Sequence, residues 1–161
     1  DAAIVALPYA AAGIVVLPLY SENFRVIVPA RHRWARRRTI RPDELEAENL
    51  LLLNVGHCFR DQVLDACHEF ARPPTAGKQG NSLETIRNMV TSGMGISVLP
   101  ATALTPKYAL PLVKAIDFAA PAPSRRIVLA SRDGFPRRAA LAAIAGAIPK
   151  LALPIEPAPA P

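Results

Sequence analysis

The chain holds two cysteines, Cys58 and Cys67. A histidine stands beside each: His57 precedes Cys58 and His68 follows Cys67. Arg60 lies two residues beyond the first thiol. Three chemistries suit such a set. The first is redox: the thiolate is the nucleophile, a free cysteine has a pKa of about 8.5, and cationic neighbours or a helix start lower it. Such a thiolate can be oxidised to a sulfenic acid, which a second thiol converts to a disulfide. The second is metal binding, since two Cys and two His can make a tetrahedral zinc site. Here, however, the ligands come as adjacent pairs rather than across the usual gaps, and one helical segment would have to fold back on itself. We assign no metal. The third is structural: Cys67 falls on a helical stripe with Leu64 and Phe70 and reads there as a small core residue. On the residues alone, a structural pair and a redox pair both stand.

The elements that would position these thiols are legible. The run Leu50-Leu51-Leu52-Leu53 is bounded by Asn54 and Gly56, which predicts a strand buried on both faces. Gly56-His57-Cys58-Phe59-Arg60-Asp61 follows and opens a helix expected to reach about Phe70. Arg72-Pro73-Pro74 ends it. Asn81 and Ser82 cap the next helix, with Glu84 three residues after Asn81 as in a capping box. Leu83, Ile86, Met89 and Val90 form its inner stripe. Arg87, three residues after Glu84, pairs with it on the helix surface. Gly93 ends the helix, and Gly95 turns the chain into Ile96-Ser97-Val98-Leu99-Pro100. Further strands are expected at 24–28 and 127–130, and a last helix from about Arg137 to Ile148. Residues 4–7 and 14–17 read as two buried strands. Pro42-Asp43-Glu44-Leu45 opens a short helix, with Pro early and acids in the first turn. Alternating strands and helices predict an α/β fold with largely parallel sheets.

Composition bounds the partners. The formal net charge is +6, and six arginines fall within residues 31–41. A basic cluster can mark nucleic-acid binding, but only Trp34 is aromatic there and Pro42 ends the run. It reads as a solvated loop with His32 in it. No helix-turn-helix, zinc-finger or basic-zipper pattern is present, so no specific DNA contact is expected from these residues. Residues 2–20 are uncharged, yet Pro8, Gly13 and Pro18 interrupt them, and a single span needs about 20 unbroken apolar residues. No membrane association is expected, and a cytoplasmic location is the default. No Ser-His-Asp set, phosphate-binding glycine loop or metalloprotease motif appears, which predicts no catalytic residues in the enzymatic sense and no cofactor. A thiol peroxidase would need a site built for a reductant.

Several runs together resemble the effector-binding domain of LysR-type transcription regulators. They are Asp1-Ala2-Ala3-Ile4-Val5, Leu17-Pro18-Leu19-Tyr20, His32-Arg33-Trp34-Ala35, Ser82-Leu83-Glu84-Thr85-Ile86-Arg87-Asn88-Met89-Val90 and Gly93-Met94-Gly95-Ile96-Ser97-Val98-Leu99-Pro100. The resemblance implies a two-lobed fold like that of periplasmic binding proteins, with the first lobe incomplete. Residues 1–21 would be part of lobe I, 22–127 lobe II carrying the cysteines, 128–153 the return to lobe I, and 154–161 a Pro-rich, extended or loose tail. Gly56-His57-Cys58-Phe59-Arg60-Asp61-Gln62, with Cys67 following, is similar to the reactive loop of the hydrogen-peroxide-sensing, OxyR-type branch. That resemblance implies that Cys58 is peroxidatic and Cys67 resolving, with His57, Arg60 and Arg125 around the peroxide. It implies hydrogen peroxide and a second copy of the chain as partners. Promoter DNA would be reached only through a winged helix-turn-helix domain preceding these residues.

The spacing sets a condition on this chemistry. Across a helix, nine positions at 1.5 Å rise put the two cysteine Cα atoms roughly 13 Å apart. A disulfide needs them within about 7 Å. Oxidation would therefore have to unwind the helix, and such a rearrangement could move a subunit interface. A second reading keeps the LysR-type fold but not the redox chemistry: a small carboxylate binds in the cleft between lobes, with Asn81 and Ser82 as helix caps or ligand donors and the cysteines incidental.

Overall fold

The computed structural model describes residues 2–66 and 78–158. Contacts divide the chain into two compact units, one of Asp1–Glu22 with Arg125–Pro161 and one of Asn23–Ser124.

The Asn23–Ser124 unit is built on a sheet whose strands are β2 (Ile14–Pro29, through its second half), β3 (Thr39–Ile40), β4 (Leu50–Leu53), β5 (Gln79–Gly80), β6 (Ile96–Pro100) and β7 (Val113–Phe118). β4 pairs parallel with both β5 and β6, and β3 parallel with β7. β2 runs antiparallel to β6 and to β7, with Val26 opposite Val98 on one side and Ile116 on the other. β3, β4, β5, β6 and β7 thus run one way and β2 against them, a largely parallel sheet with one reversed strand. The parallel part is where a helix intervenes between strands: α1 (Cys58–Ala66) lies between β4 and β5, and α2 (Leu83–Thr91) between β5 and β6. β2 alone enters without such a crossover, so nothing forces it to run with the rest.

Period-two alternation sorts the core into two layers. Leu50, Leu52, Val26, Val28, Ile96 and Val98 pack on one face with Val63 of α1. Leu51, Leu53, Ile27 and Leu99 pack on the other with Ile86 and Val90 of α2. Every residue of β4 is buried, as a strand covered by a helix on each face must be. Full burial of one leucine contributes about 1.5–3 kcal/mol, so β4 is the best-held segment behind the thiol loop.

The arginines of the basic stretch are solvated as expected, all six being exposed, but the stretch is folded around a buried residue. Trp34 is buried, and three of the arginines near it are paired with acids that follow in the chain. Glu48 takes Arg33 and His32, Glu44 takes Arg37, and Asp43 takes Arg41. Glu44 also accepts from the Arg41 backbone N–H, which opens a 3₁₀ helix over Pro42–Ala47.

The other unit contains β1 (Ala2–Ala6), the first half of β2, β8 (Ser124–Arg132), α3 (Arg138–Ala147) and β9 (Glu156–Pro157). β1 pairs antiparallel with β8. The opening strands are not buried as expected: Ile4 is 53% exposed and Val15 49%. The stretch at 14–17 is also no separate strand, because it continues unbroken to Pro29. The tail is tied down as far as Ala158: β9 pairs with Tyr20 and Ser21, and the Ala158 N–H donates to the Leu19 carbonyl. No helix among the described residues is long and apolar enough to cross a membrane.

Candidate functional site

β4 delivers the chain to the top of its sheet at Leu53. The Asn54 N–H still reaches the Gly80 carbonyl at 2.9 Å, and the His57 N–H folds back on the Asn54 carbonyl at 3.3 Å. Gly56 adopts φ +96° in this turn, a backbone region glycine enters without Cβ penalty. Cys58 is the first residue of α1. Its thiol is free and exposed. It thus stands where the unpaired N–H groups and dipole of a helix start favour an anion. Phe59, Val63 and Leu64 point the opposite way, into the core layers, so the helix phase that buries Phe59 leaves Cys58 at the surface.

His57 is exposed on the same turn, and its carbonyl accepts from the Arg60 N–H at 2.9 Å. The Arg60 guanidinium lies along the end of β4, where Nη1 donates to the Leu53 carbonyl at 3.4 Å. Sequence reasoning aimed this guanidinium at the thiol; among the described residues its hydrogen bond goes to the backbone instead. Cys67 and His68, and the end of the helix expected near Phe70, lie outside the described residues.

Arg125 is on β8, in the other unit. Its Nε and Nη2 both donate to Oε1 of Glu22, at 2.8 and 2.7 Å. Glu22 is fully buried at its side chain. Sequence reading missed Glu22, although a lone acid amid the apolar residues of β2 was the available signal. Tyr20, on the same strand, has its phenol pKa raised, first by burial and then by the Glu22 charge, with Arg125 opposing.

Ser82 is the N-cap of α2, and its Oγ accepts from the Thr85 N–H at 3.1 Å. The Asn81 carboxamide oxygen accepts from the Thr85 hydroxyl at 2.8 Å. The cap is therefore one residue later than a box on Asn81 and Glu84 would have it. Glu84 faces Arg87 instead, and Arg87 is buried rather than at the surface. Among the described residues no group of three or more His, Cys, Asp or Glu is placed to hold a metal ion.

Residues 1–151 match the LysR substrate binding domain family. Among curated proteins, the chain is 38% identical over 152 residues to a probable hydrogen peroxide-inducible genes activator of Mycobacterium avium, covering 94% of this chain and 49% of that one. It is 36% identical over 148 residues to the DNA-binding transcriptional dual regulator OxyR of Escherichia coli, covering 92% of this chain and 48% of that one. The chain therefore spans about half the length of the curated relatives it matches. Among solved structures, a reduced form of OxyR from N. meningitidis superposes with a TM-score of 0.88 at 45% identity, covering 99% of this chain and 76% of that one. The reduced OxyR regulatory domain of Pseudomonas aeruginosa gives 0.83 at 42% identity, covering 94% and 73%. With the fold and nearly the whole chain matched, this chain belongs to the LysR substrate-binding-domain family, and its relatives of known structure include OxyR regulatory domains.

Proposed function

We propose that the chain is the redox-sensing part of the regulatory domain of a DNA-binding transcription regulator, responding to hydrogen peroxide through Cys58 and Cys67. The observation that carries this is the free, exposed Cys58 thiol at the first residue of α1. Relatives named as hydrogen peroxide-inducible genes activators, and a Corynebacterium glutamicum OxyR mutant solved with H2O2 bound, support the choice of oxidant. The Cys58 thiolate attacks one peroxide oxygen: an S–O bond forms, the O–O bond breaks, and the leaving hydroxide takes up a proton as water. Cys67 then attacks the sulfenic sulfur, an S–S bond forms, the S–O bond breaks, and a second water leaves. Both electrons that reduce the peroxide come from the two sulfurs.

Intact α1 forbids the second step. Eight residues of helix put the Cα of Ala66 roughly 12 Å from that of Cys58, and a residue bonded to Ala66 can be only about 3.8 Å from it. The cysteine Cα atoms are then at least about 8 Å apart, beyond the roughly 7 Å a disulfide spans. Disulfide formation therefore disrupts α1, and that disruption is the signal. His57 and Arg60 complete the proposed peroxide site, with Arg60 leaving the Leu53 carbonyl to reach it. In domain terms, residues 22–127 carry the sensor, residues 1–21 and 128–153 belong to the first lobe, and 154–161 form a tail. The protein acts as a cytoplasmic homodimer, reads promoter DNA through a winged helix-turn-helix domain outside these residues, and is a sensor rather than an enzyme.

The test is one equivalent of peroxide added to the reduced protein at neutral pH, followed by intact mass and thiol count over seconds. Prompt loss of both thiols, absent in Cys58→Ser, is expected. Thiols that survive excess peroxide would overturn the reading and favour a LysR-type domain for a small carboxylate.

A further inference from the structure

α3 begins among cations. It spans Arg138–Ala147 with Arg137 as its N-cap, no side chain caps it, and its first turn carries no acid. A helix start favours acids, because the dipole and the unpaired N–H groups make that end positive. Here Arg137 and Arg138 add two charges of the same sign, and Arg132 precedes them. None of the three arginines has an acid partner among the described residues. The N–H groups of Arg138 and Ala139 have no acceptor there either. Hydrogen bonding begins with Ala140, whose N–H donates to the Arg137 carbonyl at 3.0 Å.

A groove of about 380 Å³ opens at this helix start, wholly within the Asp1–Glu22 and Arg125–Pro161 unit. Arg132 and Arg138 line it, and Asp133, the only acid on its wall, offsets one of their charges. Leu17, Leu129, Phe135 and Leu141 give it apolar surface. Ser131 lines it as well. On β8 it shares the face of Ile127 and Leu129, the face that Leu141 and Ala145 of α3 cover. Ser131 is only 5% exposed, yet its hydroxyl has no hydrogen-bond partner among the described residues. Water can fill such a groove and satisfy a hydroxyl, but it brings no charge to set against the arginines. Two guanidinium forks, a helix start and a hydroxyl offer more donors than the two oxygens of a carboxylate can accept. A phosphoryl group brings three acceptor oxygens and a charge of about −1.5 to −2 at neutral pH.

We propose that this groove binds a small phosphate monoester. The phosphoryl group sits at the start of α3 and takes the free N–H groups there, the Ser131 hydroxyl and the Arg132 and Arg138 guanidiniums. The organic part lies along Leu17, Leu129, Phe135 and Leu141. A dianionic head suits a helix start flanked by arginine forks, and a free phosphate ion would leave the apolar wall uncovered. The site shares no residue with the thiol loop, so it stands or falls independently of the peroxide chemistry.

The test is calorimetric titration of the full chain with phenyl phosphate at about pH 7.5, where the monoester is mostly a dianion. Inorganic phosphate, benzoate and phenol serve as controls at matched ionic strength. Saturable binding of phenyl phosphate is expected, with a dissociation constant on the order of 1 mM or below, and each control should bind about tenfold more weakly or not at all. Arg132→Gln and Arg138→Gln should each weaken phenyl phosphate about fivefold, and Ser131→Ala about threefold. Both arginines are exposed, so their variants fold and decide the matter if Ser131→Ala does not. Arg126→Gln removes a charge from the same strand outside the groove and should leave the affinity unchanged. The proposal is overturned by an absence of saturable binding, by unchanged affinity in the Arg132→Gln, Arg138→Gln double variant, or by an equal loss in Arg126→Gln. Benzoate or inorganic phosphate binding as tightly as phenyl phosphate would overturn it too.

Discussion

Phe59 meets Phe24 edge to face, with ring centroids 5.6 Å apart and planes at 86°. The contact joins the residue after Cys58 to β2 and is a main tether of α1 to the sheet, with Val63 beside it. Edge-to-face pairs contribute about 0.5–1.5 kcal/mol beyond burial. If α1 must open before Cys58 and Cys67 can join, weakening this tether should speed that step alone. Phe59→Leu keeps an apolar side chain but loses the ring pair, costing about 1 kcal/mol of α1 packing. We expect disulfide formation to accelerate up to about fivefold, the factor that 1 kcal/mol represents. Sulfenic acid formation, trapped with dimedone in rapid quench, should keep its rate. An equal change in both steps would count against an opening of α1.

Arg125 and Glu22 form the ion pair with the most at stake for stability, since the Glu22 side chain is fully buried and both Arg125 donors converge on one of its oxygens. Removing one partner of a buried pair costs about 3–5 kcal/mol, because the other charge is left desolvated. Arg125 keeps some solvent contact, so roughly 3 kcal/mol is expected for Arg125→Ala in urea unfolding. The double variant Glu22→Gln with Arg125→Gln should recover a good part of it. A single variant within 1 kcal/mol of the parent, on the order of a surface pair, would show that the pair is dispensable.

The sequence carried the Asn23–Ser124 core and the placement of the first thiol, because both rest on strong local signals. Leu50-Leu51-Leu52-Leu53 can only be a doubly covered strand, and Gly56 marks the turn that puts Cys58 at a helix start. Other features depended on partners distant in the chain. The direction in which β2 pairs with β6 and β7 leaves no mark in its sequence, because Val26, Ile27 and Val28 alternate between the two faces whichever way the strand runs. Val15 and Val16 have the composition of core and stand exposed, since residue type fixes a preference for burial and not the neighbour that supplies it. Glu22 and Arg87 are charges whose burial is invisible without the groups that pair them. Arg60 had the right position for the thiol, and its guanidinium took a backbone carbonyl seven residues upstream.

Glu44 reports how firmly the basic stretch is held. Hydrogen bonds from the Arg37 side chain, and then from the Arg41 backbone, lower its pKa from 4.5 to about 2. A depressed carboxyl stabilises the fold above its unfolded pKa, and that contribution is lost as pH falls through the folded value. Stabilisation from this site should thus be complete above about pH 5 and fade between about pH 4.5 and 2. Arg37→Gln should return the Glu44 carboxyl toward the ordinary range in a carbon-detected NMR titration. A midpoint unchanged in that variant would mean the Arg41 N–H alone sets it.

Gly95 is where α2 hands the chain to β6, and the approach there is too close for any side chain. A Cβ on Gly95 would collide with the backbone carbonyl oxygen of Asn49 and come within 3.1 Å of Leu51 Cγ. The Asn49 carbonyl cannot retreat freely, because it accepts from the Ile96 N–H at 3.0 Å where the β4–β6 pairing begins. The Asn49 side chain is also committed, donating to the Met94 carbonyl at 2.6 Å. Gly95→Ala should therefore destabilise by roughly 2–3 kcal/mol, toward the upper end for single substitutions. The loss should appear first as faster amide exchange at Ile96 and Ser97, where the strand must shift to make room. Gly134→Ala offers the control: its φ is +73° but no atom lies within 4 Å of the added Cβ, so only the backbone cost of about 1 kcal/mol applies. Equal effects at the two glycines would mean that backbone conformation, and not the collision with Asn49, governs position 95.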